Sequence, residues 1–154
     1  MQLLHEVLKI RPEQTKTNLC FDICVPEDFE RLEIDFSYAP KWVTDRELIK
    51  RLTLEGSIKY GLLPEGTKSV CSCKCPEICN MITLSLDING RFCGFAHRHT
   101  PQQHIVVSET EATPGFHKMK PEKGIWRIVI PVNMVATDVC TYEITVTGIE
   151  SGKQ

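Results

Sequence analysis

Residues 32 to 38 read Leu32-Glu33-Ile34-Asp35-Phe36-Ser37-Tyr38, a strict alternation of apolar and polar side chains. Successive side chains of a β-strand point to opposite faces, so this alternation predicts a strand with one buried and one solvated face. The stretches beginning at Leu19, Met81, Trp126 and Cys140 repeat the pattern. Eight such runs, separated by turn residues, predict an all-β fold.

The connections between these runs favour a single antiparallel β-sandwich over residues 1–154, jelly-roll-like, with about eight strands and one short helix. Asn89-Gly90 predicts a two-residue hairpin, with a return strand from Arg91 to about His99. The helix is expected to begin at the capping box Thr44-Asp45-Arg46-Glu47, with Thr44 as its cap, and to end near Gly56. A Cys-rich loop is expected at about 55–80.

Composition excludes several classes of protein. The 18 Lys and Arg residues and 20 Asp and Glu residues are spread along the chain, without the basic patch of a nucleic-acid-binding protein. No apolar stretch is long enough to span a bilayer, and the N-terminal residues do not resemble a signal peptide. We therefore expect a cytoplasmic protein that binds neither nucleic acid nor membrane, in a compartment where thiols stay reduced.

The densest group of reactive side chains is Cys71, Cys73, Cys75 and Cys79, four thiols within nine residues. Four thiolates satisfy the tetrahedral coordination of zinc, although the spacing differs from paired Cys-x-x-Cys ribbons. Redox chemistry, or a reduced loop without chemistry, fits the same residues. The zinc content of protein purified without added metal distinguishes the metal site from the other two interpretations. Less than roughly a tenth of an equivalent of zinc per chain excludes the metal site.

The other four cysteines lie in predicted strands, two of them together in one strand and two of them in separate strands. Cys20 and Cys24 share one face of a predicted strand, where a rise of about 3.3 Å per residue separates them by roughly 13 Å, too far for a disulfide between them. Cys93 and Cys140 lie in other strands. We interpret these four as small residues of the core or of a second sheet face.

Three histidines form a second candidate group, namely His97, His99 and His104. Within one strand, His97 and His99 would share a face and offer two imidazoles to a metal ion or a partner. A structural role at the rim of the sandwich is the alternative. The string His97-Arg98-His99-Thr100 has the form of a PHP phosphoesterase metal motif, but such sites need further ligands from several strand ends.

Longer phrases occur in an order that resembles a known family. They are Asn80 to Asp87, Gly94 to His99, Ala112-Thr113-Pro114-Gly115-Phe116, Gly124-Ile125-Trp126 and Cys140-Thr141-Tyr142. With these phrases the chain resembles, from about residue 18 onward, the N-terminal domain of bacterial CehA/McbA-type metallohydrolases of the PHP group. The resemblance implies a β-sandwich accessory domain. It transfers no catalytic residue, because that family's metal ligands lie in a following domain, which these 154 residues do not include.

The same phrases have a physical explanation. Pro114 sets φ and Gly115 permits a positive φ, so the pair predicts a type II turn, and Trp126 falls on the core face of its strand. We therefore expect an accessory or binding module, and the resemblance implies a separate metallohydrolase, or another protein, as its partner. The alternatives are a metal- or redox-responsive protein using Cys71 to Cys79, and a metallohydrolase using His97, His99 and His104.

Overall fold

Within the described residues, 1–70, 76–96, 98–150 and 152, the computed structural model contains nine β-strands and one α-helix. The strands are β1 (Gln2–Ile10), β2 (Thr17–Val25), β3 (Arg31–Ala39), β4 (Met81–Ile82), β5 (Ser85–Ile88), β6 (Arg91–Phe95), β7 (Gln102–Ser108), β8 (Gly124–Met134) and β9 (Cys140–Ile149). A 3-10 turn (Pro12–Gln14) joins β1 to β2, and the helix α1 (Arg46–Lys59) follows β3.

The strands pair into two antiparallel sheets. Sheet A has the order β1-β9-β3-β7, and sheet B has the order β2-β8-β5-β6, with β4 also paired to β8. The chain crosses between the sheets at most of its connections, from β1 to β2, from β2 to β3, and again around β7, β8 and β9. This is the jelly-roll arrangement, and it confirms the predicted all-β sandwich.

The alternating apolar residues of the strands form the core, as the sequence predicted. In β3 the side chains of Leu32, Ile34, Phe36 and Tyr38 are buried, and the residues between them face outward. Tyr142 of β9 stacks on Phe36 with ring centroids 5.6 Å apart. Each such side chain contributes about 1.5–3 kcal/mol when it is removed from water, so the burial of alternate residues accounts for most of the cohesion between the sheets.

One predicted strand is divided in two. The run from Met81 to Asp87 was expected to be continuous, but β4 ends at Ile82 and β5 begins at Ser85. The Thr83 N–H donates to Pro131 O of β8, whereas Leu84 O accepts from the Ala96 N–H beyond the end of β6. The change of hydrogen-bond partner breaks the ladder, and it raises the strand count within the described residues from the expected eight to nine.

The helix boundaries also differ from the prediction. The cap is Asp45 rather than Thr44, because Asp45 Oδ1 accepts from the N–H groups of Glu47 at 2.9 Å and Leu48 at 3.2 Å. A carboxylate at this position also interacts favourably with the positive end of the helix dipole. The helix continues through Gly56 to Lys59, so the expected loop at 55–80 begins with the last helical turn.

The phrase Ala112 to Phe116 forms the predicted turn. The Phe116 N–H donates to Thr113 O at 3.0 Å, and Gly115 has a φ of 102°, which a type II turn requires at that position. A Cβ on Gly115 would lie 2.6 Å from the backbone oxygen of Phe95. Glycine is therefore needed both for its conformation and for the close approach of the two backbones.

The segment 111–117, which we call the edge clasp, joins the two sheets along one side. Thr113 donates its N–H to Val106 O of β7 at 2.9 Å, and Thr113 Oγ1 accepts from the Val106 N–H at 2.9 Å. On the other sheet, Gly115 O accepts from the Phe95 N–H of β6 at 3.0 Å. The outer edges of β7 and β6 are thus both covered by the same seven residues.

A buried asparagine joins three loops at one end of the sandwich. Asn80 is fully buried, and its Nδ2 donates to Pro40 O and to Thr137 Oγ1, each at 2.8 Å. Its Oδ1 accepts from the Ala136 N–H at 2.7 Å, and its own N–H donates to Lys41 O at 2.9 Å. The segments after β3, before β4 and between β8 and β9 therefore share one hydrogen-bonded residue.

We predict that Asn80→Ala lowers the free energy of unfolding by about 2–4 kcal/mol, because the buried Ala136 N–H loses its acceptor. Urea denaturation followed by circular dichroism measures the change. Asn18→Ala is the matched control, since Asn18 is exposed and its loss is expected to alter stability by less than about 0.5 kcal/mol. Equal losses for the two variants would contradict a special role for Asn80.

A pair of glycine variants tests the edge clasp. Gly115→Ala is expected to destabilise the fold by about 1–3 kcal/mol, because the added methyl meets backbone and the residue keeps a positive φ. Gly56→Ala, inside α1 with nothing within 4 Å of the added carbon, is expected to stabilise it by about 0.5–1 kcal/mol. Thermal unfolding should therefore shift in opposite directions, and a downward shift for both would refute the assignment.

A buried tyrosine offers a third test. The Tyr142 hydroxyl has no hydrogen-bond partner within the described residues, and burial raises the pKa of Tyr142, so the group is neutral. We expect Tyr142→Phe to raise the free energy of unfolding by about 1 kcal/mol, because an unpaired buried hydroxyl is removed. Tyr38→Phe should instead lower it by a similar amount, since the Tyr38 hydroxyl accepts from Lys41 Nζ at 2.8 Å. Chemical denaturation of both variants measures the two changes in the free energy of unfolding, which are expected to have opposite signs.

Candidate functional site

The outer face of sheet A carries a row of polar side chains that crosses all of its strands. The register places His5 of β1 beside Thr145 of β9, Thr145 beside Asp35 of β3, and Asp35 beside His104 of β7. His5, Asp35 and His104 are exposed, and Thr145 is half-buried. Alternation puts all four on the face opposite the core, so the row is a direct consequence of the strand pairing.

Each histidine in this row contacts polar neighbours. His104 Nδ1 lies 2.7 Å from Asp35 Oδ1, and His5 Nδ1 lies 3.0 Å from Thr145 Oγ1. His5 Nε2 lies 3.9 Å from Glu143 Oε1. When His104 Nδ1–H donates to the carboxylate, the neutral ring presents Nε2 to solvent as an acceptor. Asp35 therefore orients the one ring nitrogen of His104 that can meet a ligand.

A groove of about 420 Å³ lies over one half of this face. β3, β7 and β9 supply the residues that line it. The lining residues whose polar side chains lie on the outer face are Asp35, Ser37, Gln102, His104, Glu143 and Thr145. Because these side chains come from adjacent strands of one sheet, their spacing is fixed by the backbone hydrogen bonds.

The segment after β6 is held against the end of β7 beside the groove. Gln103 Nε2 donates to Arg98 O at 2.8 Å and to Thr100 O at 3.2 Å. The Tyr38 N–H donates to Pro101 O at 2.9 Å, which links the same segment to β3. The groove is therefore bordered by a loop with its own hydrogen bonds to the sandwich.

The outer face of sheet B has a different character. Asp22 of β2 pairs with Arg127 of β8 through Nε at 2.7 Å and Nη2 at 3.0 Å, and the hydrogen bonds from Arg127 lower the pKa of Asp22. Cys20 and Cys24 are exposed on either side of Asp22 on the same strand. The prediction that these two cysteines share one face is confirmed, as is the burial of Cys93 and Cys140 in the core.

The Cys-rich group lies mostly outside the described residues. Cys71, Cys73 and Cys75 fall there, so only Cys79 has a described position. Cys79 is half-buried and forms an isolated bridge with Trp42. Within the described part of the chain, no three His, Cys, Asp or Glu side chains are placed to hold a metal ion. The zinc hypothesis for the Cys71 to Cys79 group stays a prediction from sequence.

The strand that was expected to carry His97 and His99 is shorter than predicted. β6 ends at Phe95, so the expected strand from Arg91 to His99 is too long by several residues. β6 ends there because its partner strand β5 begins at Ser85, the residue opposite Phe95. His97 lies outside the described residues, and His99 is exposed between β6 and β7. Of the two described histidines in this group, His104 lines the groove and His99 does not.

Sequence reasoning missed the partners of His104. Asp35 and Glu143 each occupy an ordinary polar position of an alternating strand, and His5 stands alone near the N-terminus. Their proximity depends on β9 lying between β1 and β3, a pairing of strands far apart in sequence. The alternation indicates which face each residue occupies, but only the strand order brings them together.

Comparison with protein-family models, with characterised proteins and with solved structures finds no match to this chain. Within the described residues, no helix combines the length and apolar character needed to cross a membrane. The site is therefore interpreted from its own geometry.

Proposed function

We propose that this chain is a β-sandwich binding module, without a catalytic role, that holds a polar ligand in the groove on the outer face of sheet A. The observation that carries the proposal is the lining of that groove by six residues with outward-facing polar side chains from three neighbouring strands. Strand-borne side chains are well positioned for binding, because the sheet fixes their spacing before a ligand arrives.

The lining favours a ligand that donates hydrogen bonds. Asp35 and Glu143 contribute carboxylates, which only accept when ionised, and His104 offers Nε2 as a further acceptor when the neutral ring donates Nδ1–H to Asp35. The amide of Gln102 supplies both a donor and an acceptor. We therefore propose a ligand with several hydroxyl or cationic N–H groups, namely a saccharide or a Lys- or Arg-containing segment of a partner protein.

A companion metallohydrolase is the partner that the family resemblance suggests. Such an enzyme would present a basic segment to the groove, and the sandwich would act as its accessory domain. This version of the proposal rests on the resemblance, whereas the binding groove itself rests on its lining residues and on the contact between His104 and Asp35.

Titration of isotope-labelled protein with a saccharide and peptide panel, monitored by NMR, tests the proposal. A true ligand is expected to shift the resonances of the groove residues. His104→Ala should then weaken binding about tenfold, equivalent to about 1.4 kcal/mol, because the oriented acceptor is lost.

His5→Ala is the matched control, since His5 belongs to the same polar row but does not line the groove. Its affinity is expected to stay within about twofold of the parent. Equal weakening by the two variants, or shifts located away from sheet A, would contradict the groove as the binding site.

A further inference from the structure

The two sides of the sandwich differ in how their strand edges are covered. The edge clasp bonds to β6 and β7, but in the described residues the backbone of β2 hydrogen-bonds only to β8. The β2–β8 ladder runs from Thr17 to Val25 without a register shift, whereas β1 has one between Gln2 and Leu4. A long, regular edge without a bulge or proline is a template for another strand.

Two exposed cysteines of β2 are arranged symmetrically about Asp22. Asp22 is the sixth of the nine residues of the strand, and Cys20 and Cys24 stand two residues to either side of it on the same face. All three are exposed. A strand with such symmetry is complementary to its own copy in antiparallel orientation.

We propose that a second copy of this chain adds its β2 antiparallel to β2, with Asp22 opposite the partner's Asp22. The two-fold axis then passes midway between the two Asp22 residues, and Cys20 faces the partner's Cys24 at two equivalent positions. Each interface residue contacts the same surface on the other copy, which is the isologous geometry of a closed dimer. The two B sheets become one continuous sheet.

The spacing of opposed residues suits the thiols. Directly opposite residues of an antiparallel pair have Cα atoms about 4.5 or 5.5 Å apart, depending on whether the pair is hydrogen-bonded. Disulfides span Cα separations of about 4.4–6.8 Å, so both kinds of pair lie within range. The roughly 13 Å between Cys20 and Cys24 of one chain excludes the competing intrachain disulfide.

The opposed aspartates are the only like charges that this register places face to face along the exposed side of β2. Like charges directly opposite each other destabilise a sheet. Here each Asp22 is already paired with Arg127 of its own β8 in a bidentate contact. The central position of the interface is therefore neutral in each copy.

Oxidation by glutathione disulfide would join the two paired chains through disulfide bonds, which can then be detected. At each of the two positions, one cysteine thiolate attacks glutathione disulfide and releases a glutathione thiolate, leaving a mixed disulfide. The opposed cysteine then displaces the second glutathione. Two protein thiols are oxidised to one disulfide, glutathione disulfide is reduced to two glutathione molecules, and the protons remain with the released thiols.

The decisive test uses full-length chains in which Cys71, Cys73, Cys75 and Cys79 are all changed to Ser. This parent should form a covalent dimer with glutathione disulfide, as judged by non-reducing electrophoresis. Adding Cys20→Ser or Cys24→Ser alone should reduce cross-linking roughly tenfold, because each remaining thiol then faces serine and loses the advantage of proximity. An equimolar mixture of the two variants should regain it, since Cys24 of one then faces Cys20 of the other.

Recovery in the mixture requires the proposed register and also shows that both variants remain folded. Strong cross-linking of either variant alone would place identical cysteines opposite each other and overturn the register. A mixture that cross-links no better than the separate variants, with circular dichroism spectra matching the parent, would overturn the pairing itself. Sedimentation of the reduced parent should show a dimer that Arg127→Ala weakens, whereas a monomer at every concentration would refute the interface.

Discussion

The arrangement of the sandwich depends on the backbone hydrogen bonds of the edge clasp. Segment 111–117 bonds to β7 through Thr113 and to β6 through Gly115, so one short stretch aligns an edge of each sheet. Gly94 makes this approach possible, because a Cβ there would lie 2.5 Å from Gly115 O. With these edges aligned, the alternating apolar residues of both sheets meet in a single core.

The clasp also makes the molecule asymmetric. β6 and β7 cannot accept another strand where segment 111–117 covers them, so an approaching strand must use the side formed by β1 and β2. Of these two, β2 has the uninterrupted register and the exposed thiols. The groove lies elsewhere, on the outer face of sheet A, so ligand binding and self-association would use separate surfaces of the same fold.

Local sequence was sufficient for the elements that depend on neighbouring residues. Alternation located most strands, Asn89-Gly90 located a hairpin whose two residues both have positive φ, and Pro114-Gly115 located the turn of the clasp. The break between β4 and β5 was not predictable, because it results from hydrogen bonds to Pro131 and Ala96 in distant segments. The polar row of sheet A was missed for the same reason, since β9 inserts between β1 and β3.

The cysteines show why tertiary position, and not residue type, determines the chemistry of a side chain. Burial raises the pKa of Cys93 to about 11, and the thiol of Cys140 is shifted upward for the same reason, so both remain protonated at neutral pH. Cys20 and Cys24 have the same side chain but stand in solvent on an uncovered strand. Thiol exchange requires access as well as a thiolate. Among these four strand cysteines, therefore, the pair on β2 is the one able to react with another molecule, and its symmetry about Asp22 makes a second copy of the same strand the partner that satisfies both thiols at once.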